Sequence, residues 1–427
     1  MTQQHQTPAP PAKPPHAVPI DEPVHTRLAS DKLGVIAIAF FVVAAAAPMA
    51  AVVGASPVLF SATGPGTPVI YAIAALLIAL FAVGYLRMSH HITNAGGFVA
   101  YIAKGLGNTW ATGGAGLAVL TYLALQVGLW SQFGVFARAL VRQFSGIDVP
   151  PLVWILAVLA GVTLLTVRGV DASLKLLGVL IVGEAMVVAV LIVSLVAHHG
   201  LGIFTVAGFT PGNVFGPGLG VALLFALLCF TSFEATVVFS EEARNPRRTI
   251  PRALYLVIAF VGIFYSISTW AIGGAVGIGS IQNVATKDPA GFIFRLAETN
   301  GGQALSLAMQ ILVVTSFIAM LLGLCNMFAR YLFALGRAGV LPGALSAVSG
   351  RGSPSQAAVV NSTTVAVITG CFLLAGADPV TTVFAWFSAL GSASFIAILL
   401  LTSIAVVTFF LRNRLVDNLW VTVIAPV

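Results

Sequence analysis

The sequence predicts an all-α integral membrane protein, built as two inverted five-helix repeats in which helices 1 and 6 are broken. Three observations carry this. Charged residues make up 8% of the chain and hydrophobic residues 59%, against about 25% charged in soluble domains. The apolar residues gather into ten runs long enough to cross a bilayer, which takes about 20 residues for a core ~30 Å thick. The first and sixth runs are each interrupted at membrane depth. They lie five apart, and because five is odd, a five-span unit repeated once must be inverted. Interruptions at matching places in two such halves point to a transporter-like site.

The elements follow in chain order. Residues 1–30 are polar and proline-rich, with Pro8, Pro10, Pro11, Pro14, Pro15, Pro19 and Pro23, and are expected to be a disordered tail. The stretch Ala44–Ala51 resembles a signal-peptidase site, but the tail is too long and the apolar run continues, so an uncleaved first span is expected. The ten spans are placed at 34–61, 68–89, 109–140, 150–168, 172–198, 216–240, 252–278, 303–334, 356–376 and 379–411. Residues 31–198 hold the first repeat and 199–413 the second. An eleventh span starts within 414–427, at Trp420, and is cut at Val427, so the chain reads as a piece of a longer one.

Basic residues set the orientation. With the tail in the cytoplasm, 16 of the 20 lysines and arginines fall on the tail side. The expected location is therefore a multi-pass protein of a bacterial cytoplasmic membrane, with the lipid bilayer as its surroundings. The net charge of +7 comes from residues scattered between apolar runs, which argues against nucleic acid. Cys229, Cys325 and Cys371 sit singly in apolar runs, so neither a disulfide framework nor a metal site is expected, and no cofactor. An enzyme is not expected: there is no His-Glu-x-x-His pattern, and His90-His91 and His198-His199 lie at interfaces.

The breaks suggest a chemistry. Pro48 stands mid-membrane within Ala44–Ala51; proline removes a backbone hydrogen bond and clashes with the preceding turn. The plain alternative is a simple kink. In the sixth run, Thr231, Ser232 and Glu234 interrupt an apolar helix. A broken span 1 offers N–H groups and a positive dipole end near Met49, and a broken span 6 offers carbonyls and a negative end near Phe230–Thr231. Such a pair of ends suits a small molecule bearing carboxylate and ammonium together, an α-amino acid. Expected substrate contacts are Ala46, Ala47, Met49, Ala50, Ala51, Gln126, Phe230, Thr231, Ser232 and Phe233. Gln126, Trp130, Asn326 and Trp386 could line or gate the pocket, with helix-to-helix packing the stronger reading of each. Glu234 reads first as a cap of the second half of span 6. Glu184, in the middle of span 5, is a buried carboxylate suited to take and release a proton; bonding to a helix carbonyl is the bland alternative.

Four motifs resemble those of the amino acid–polyamine–organocation (APC) transporters. Thr93–Tyr101, with Gly96 and Gly97, is similar to "P-x-A-G-G-x-Y-x-Y". Phe233-Glu234-Ala235 followed by Glu241, Glu242, Asn245, Pro246, Arg248 and Pro251 resembles "G-F-E … E-E-x-x-N-P-x-R-x-x-P". Arg168–Ser173 resembles "N-x-x-G-V-x-x-S", and Arg337–Pro342 "R-D-G-x-L-P". Gly96, Gly97, Pro48, Glu241, Glu242 and Pro246 are read as structural or gating residues. The resemblance implies secondary active transport of amino acids by alternating access, coupled to protons or run as exchange. A polyamine carrier or a non-transporting amino-acid sensor are its rivals. It also implies twelve spans, and aligns Glu184 with a lysine that stands in for sodium in some members. Sodium, less expected than a proton, would use Thr315 and Ser316. Two departures stand out: Ala46-Ala47-Pro48 replaces the usual "G-[ST]-G" of the first break, and Ser232 replaces a glycine.

Overall fold

The computed structural model of the chain describes residues 34–89, 91, 97–169, 174–238, 243–348, 353–413, 420 and 425. The N-terminal tail, Gly96, Glu241, Glu242 and most of 414–427, including the expected eleventh span, lie outside them. Helices dominate, and no strand occurs among the described residues.

In hydrocarbon every backbone N–H and C=O needs an internal partner, and a helix supplies one for each. Seven segments are long and apolar enough to cross a membrane. The first, Val35–Ser89, is 55 residues long and divides at Gly64–Gly66 into span 1 and span 2 (Thr67–Ser89). Shorter apolar helices at Pro151–Val167 and Leu219–Glu234 supply spans 4 and 6, which makes the expected ten. Span 3 is Asn108–Ser145, span 5 Leu174–His199, span 7 Pro246–Val276, span 9 Ser355–Leu374 and span 10 Pro379–Arg412. Span 8 belongs to the long helix Phe292–Arg337, which bends at Gly302 (φ 82°, ψ 170°), so the crossing part starts there as expected.

The ends use local chemistry. Pro151 and Pro246 open spans 4 and 7, where the missing N–H costs nothing. Asp378 opens span 10 by accepting from the N–H groups of Val380 and Thr381. Gly146, at φ 69°, closes span 3, and Arg138 of that helix pairs twice with Asp148 beyond it.

Packing shows the repeat directly. Span 2 packs on span 7, span 3 on span 8, and span 4 on span 9. Contacts between unlike spans also recur after a shift of five: 3 with 10 matches 8 with 5, and 2 with 6 matches 7 with 1. Small residues let these helices approach, as packing without a hydrophobic drive requires. A Cβ on Gly128 would stand 2.7 Å from Ser388 Oγ, and one on Gly391 2.8 Å from Leu125. Between spans 2 and 3 the short helix Gly97–Leu106 lies on span 10, where Gly105 meets the Ala405 backbone. Phe98 of that helix joins Phe81, Tyr85, Phe233 and Phe395 in one ring cluster.

Candidate functional site

Span 1 is broken at the expected place. Its N-terminal half, Val35–Ala46, ends in Ala47, which takes left-handed backbone angles (φ 46°, ψ 72°). Ala47 is the one non-glycine residue with positive φ among the described residues. Proline at 48 explains the stop: it cannot donate to residue 44, and the turn before it is displaced. The chain then resumes as Pro48–Ala50, a π-helical turn Ala51–Ala55 and the helix Ser56–Thr63. Such π-turns are frequent at functional sites.

Several polar groups freed by this break find partners on other spans or on the resumed helix. The Met49 N–H donates to Glu184 Oε2 at 3.0 Å. Glu184 reaches it because Ile181, Glu184, Val188, Leu191 and Leu195 form the buried face of span 5, spaced three and four apart, with Glu184 only 3% exposed. At the other side of the break, Tyr265 of span 7 donates its hydroxyl to Ala46 O at 3.4 Å. Gln132 of span 3 donates to Gly54 O at 3.0 Å, and Ser56 Oγ to Ala51 O at 3.2 Å. Tyr71 of span 2 bonds Ser56 Oγ at 3.0 Å, and its ring lies 5.1 Å from that of Tyr265.

Span 6 is broken too, but earlier than expected. Its first half ends at Leu228, followed by a turn at Cys229–Phe230 and a 3-10 turn over Thr231–Glu234. Three carbonyls at this break are engaged, one of them in the stretch expected to be free. Thr231 Oγ1 donates to Leu228 O at 2.9 Å, Cys229 Sγ to Phe225 O at 3.3 Å, and the Phe233 N–H to Phe230 O at 3.0 Å.

The expected residues thus divide. Ala46, Ala47, Pro48, Met49, Ala50 and Ala51 surround the first break, and Phe230, Thr231, Ser232 and Phe233 the second. The turn of span 6 packs on the N-terminal half of span 1, which brings the two together. Glu184 joins them. Gln126 does not: its amide is paired with Asn361 of span 9 at 3.0 and 3.2 Å and accepts from Cys325 Sγ at 3.1 Å, a contact that ties spans 3, 8 and 9. Trp386 is 65% exposed on the outside of the bundle. Glu234 makes no capping hydrogen bond among the described residues. Thr315 donates to its own helix at Ile311 and Leu312, whereas Ser316 is buried beside Glu184. Gly97, at φ 54°, opens the short helix, and Pro246 opens span 7. Tyr265, Tyr71 and Gln132 went unremarked in the sequence; the signal was a polar side chain at membrane depth, the same that drew notice to Gln126.

A sequence profile for the family described as amino acid permease matches residues 33–425. The chain belongs to the amino acid permease family. Among this permease's relatives is the branched-chain amino acid permease BcaP of Lactococcus lactis, 26% identical over 72% of this chain and 69% of that protein. The probable GABA permease of Pseudomonas aeruginosa is 26% identical, covering 83% and 74%. The low-affinity putrescine importer PlaP of Escherichia coli is 23% identical, covering 64% and 60%. Two solved structures share the fold of the permease. Mhp1, a nucleobase-cation-symport-1 family transporter, has a TM-score of 0.58 at 15% identity, over 91% of this chain and 81% of that one. A Na+-coupled sialic acid symporter has a TM-score of 0.55 at 16% identity, over 90% and 80%. The inverted-repeat transporter fold follows from both the packing and this likeness.

Proposed function

We propose that the permease carries a small zwitterionic amino acid across the membrane by alternating access about the two breaks, with Glu184 as the proton carrier. The observation that carries this is the hydrogen bond from Met49 N–H to Glu184 Oε2. A substrate carboxylate would seek the same donor, at the positive end of the resumed helix. Two carboxylates in one buried place cannot both be charged, and the like charge forces a proton onto one of them. Loading an amino acid therefore draws a proton onto Glu184 and frees the N–H for the substrate. On unloading, Glu184 loses that proton and takes the donor back.

Supporting this, the family profile covers the whole ten-span core, and the Lactococcus and Pseudomonas relatives are named for amino acids. Sodium is the weaker coupling ion, since of the hydroxyl pair on span 8 Thr315 is bonded to carbonyls of its own helix. The tail is placed in the cytoplasm, on the 16 basic residues of that side.

The test is binding and proteoliposome uptake of leucine, GABA and lysine, each beside its decarboxylated or amidated analogue, and of putrescine. The amino acid that binds should do so at least ~10-fold more tightly than its amine, about 1.4 kcal/mol. Equal affinity for the amine would overturn this reading in favour of a second. In that one Glu184 stays charged on Met49 and neutralises an organic cation, as the likeness to a putrescine importer allows.

A further inference from the structure

At the two breaks six backbone groups are held by the protein's own side chains, and this bears on how the carrier returns. Met49 N–H and Ala46 C=O, the two ends exposed by the break in span 1, are held by Glu184 and Tyr265. Leu228 and Phe225 carbonyls, at the end of the first half of span 6, are held by Thr231 and Cys229. Within the π-turn, Ala51 and Gly54 carbonyls are held by Ser56 and Gln132. Closing a carrier around a broken helix buries such groups, and a buried unpartnered N–H or C=O costs about 1–3 kcal/mol. In a carrier that relies on substrate to satisfy them, the unloaded form pays that penalty on each crossing and is confined to exchange. Here the carboxylate of Glu184 stands where a substrate carboxylate would bind. The hydroxyl of Tyr265, a donor at the negative end of Val35–Ala46, stands where an ammonium would.

We infer that the permease crosses unloaded and so performs net transport rather than obligatory exchange, with Glu184 and Tyr265 as the positioning residues that make the unloaded crossing passable. This rests on the transporter reading above. It adds the mode of transport and gives Tyr265 a role. The two residues come from different spans, 5 and 7, so each reports separately. Glu184 acts here as a hydrogen-bond acceptor, which a glutamine also is, whereas its proton-carrying role needs the carboxyl group. Glutamine therefore separates the two functions: it should keep unloaded crossing and lose coupling.

The test has a flux arm and an arm without substrate. In proteoliposomes loaded with labelled leucine, efflux into leucine-free medium should stay within about threefold of efflux into medium containing leucine. A rate below a tenth of the exchange rate overturns the inference. Tyr265→Phe and Glu184→Leu should each lower the ratio of net efflux to exchange about tenfold, the value of one buried hydrogen bond, and Glu184→Gln should leave that ratio at the wild-type value. An unchanged ratio in both Tyr265→Phe and Glu184→Leu would also overturn it. Where leucine is not carried, GABA or lysine takes its place in this arm; if none of the three moves, the substrate reading fails and the second arm decides. A membrane-impermeant maleimide is applied, with no substrate, to right-side-out and to inside-out vesicles of the wild-type protein. The label on Cys229, which is 8% exposed at the end of the first half of span 6, is located by peptide mass spectrometry. Labelling from both sides is expected; labelling from one side or from neither contradicts unloaded crossing.

Discussion

Ala47 shows what a single residue contributes to the break. An alanine in the left-handed region crowds its Cβ against the following carbonyl, at roughly 1–2 kcal/mol, and it holds there because Pro48 forbids the helical alternative. Ala47→Gly should relieve this crowding while keeping the break, and so raise the melting temperature slightly with substrate binding retained. Ala47→Val should do the reverse, since a branched Cβ fits that region worst and Ala47 is only 1% exposed. Thermal melts and binding in detergent compare the pair, and a fully active valine variant would place the pocket elsewhere. Glu184 is the second residue of interest. Glu184→Gln keeps an acceptor for the Met49 N–H but cannot lose a proton. Accumulation driven by a pH gradient should fail, while counterflow survives, across external pH 5 to 8. Accumulation equal to the wild type would remove Glu184 from coupling.

Among the elements, the long helix Phe292–Arg337 is informative. Its two parts meet at Gly302, whose angles (φ 82°, ψ 170°) fall in a region open essentially to glycine alone. The part before it contributes Phe292, whose ring meets Phe60 of span 1, and Asn300, which bonds His199 at the end of span 5. Gly302→Ala should therefore cost about 1–3 kcal/mol, seen as a lower melting temperature in detergent; an unshifted melt would show that the bend is not needed. Spans 3 and 10 give a second case. Gly391→Val would drive a side chain into Leu125, and overpacking of this kind costs about 1–3 kcal/mol. Folded yield should drop, and Leu125→Ala should recover part of it.

At the scale of the molecule, the contacts that recur after a shift of five spans make the two repeats equivalent in packing, while their breaks differ in chemistry. The first is held by a carboxylate and a phenol from other spans, the second mainly by its own Thr231 and Cys229. The carboxylates differ in the same way: Glu184 comes to the first break from span 5, whereas Glu234 belongs to the turn of the second. The chain's relatives are named for branched-chain amino acids, GABA and putrescine alike, so membership of the family does not by itself set the substrate. The proposed orientation has its own measurement. An epitope on the N-terminal tail should be cleaved by added protease in inside-out vesicles and protected in right-side-out ones, and the opposite pattern would put the tail on the outer side.

The sequence alone determined the solvent of this protein, its ten crossings and both interruptions. These depend on quantities carried along the chain: the paucity of charge, run length against bilayer thickness, a proline at 48 and polar residues at 231–234. Glu184 was legible as a buried carboxylate for the same reason. Its partner was not, because Met49 lies 135 residues away and hydropathy tells which residues enter the membrane, not which meet there. Gln126, read as lining, pairs with Asn361 at a separation of 235 residues. Tyr265 meets Ala46 across 219. The end of the first half of span 6 moved from Phe230–Thr231 back to Leu228, since the Thr231 hydroxyl turns onto that carbonyl and tightens the backbone into a 3-10 turn. Whether the groups freed by a break stay open or find partners depends on side chains from other spans. Only the tertiary structure, by bringing Glu184, Tyr265 and Gln132 of spans 5, 7 and 3 to the first break, decided which of its groups are held.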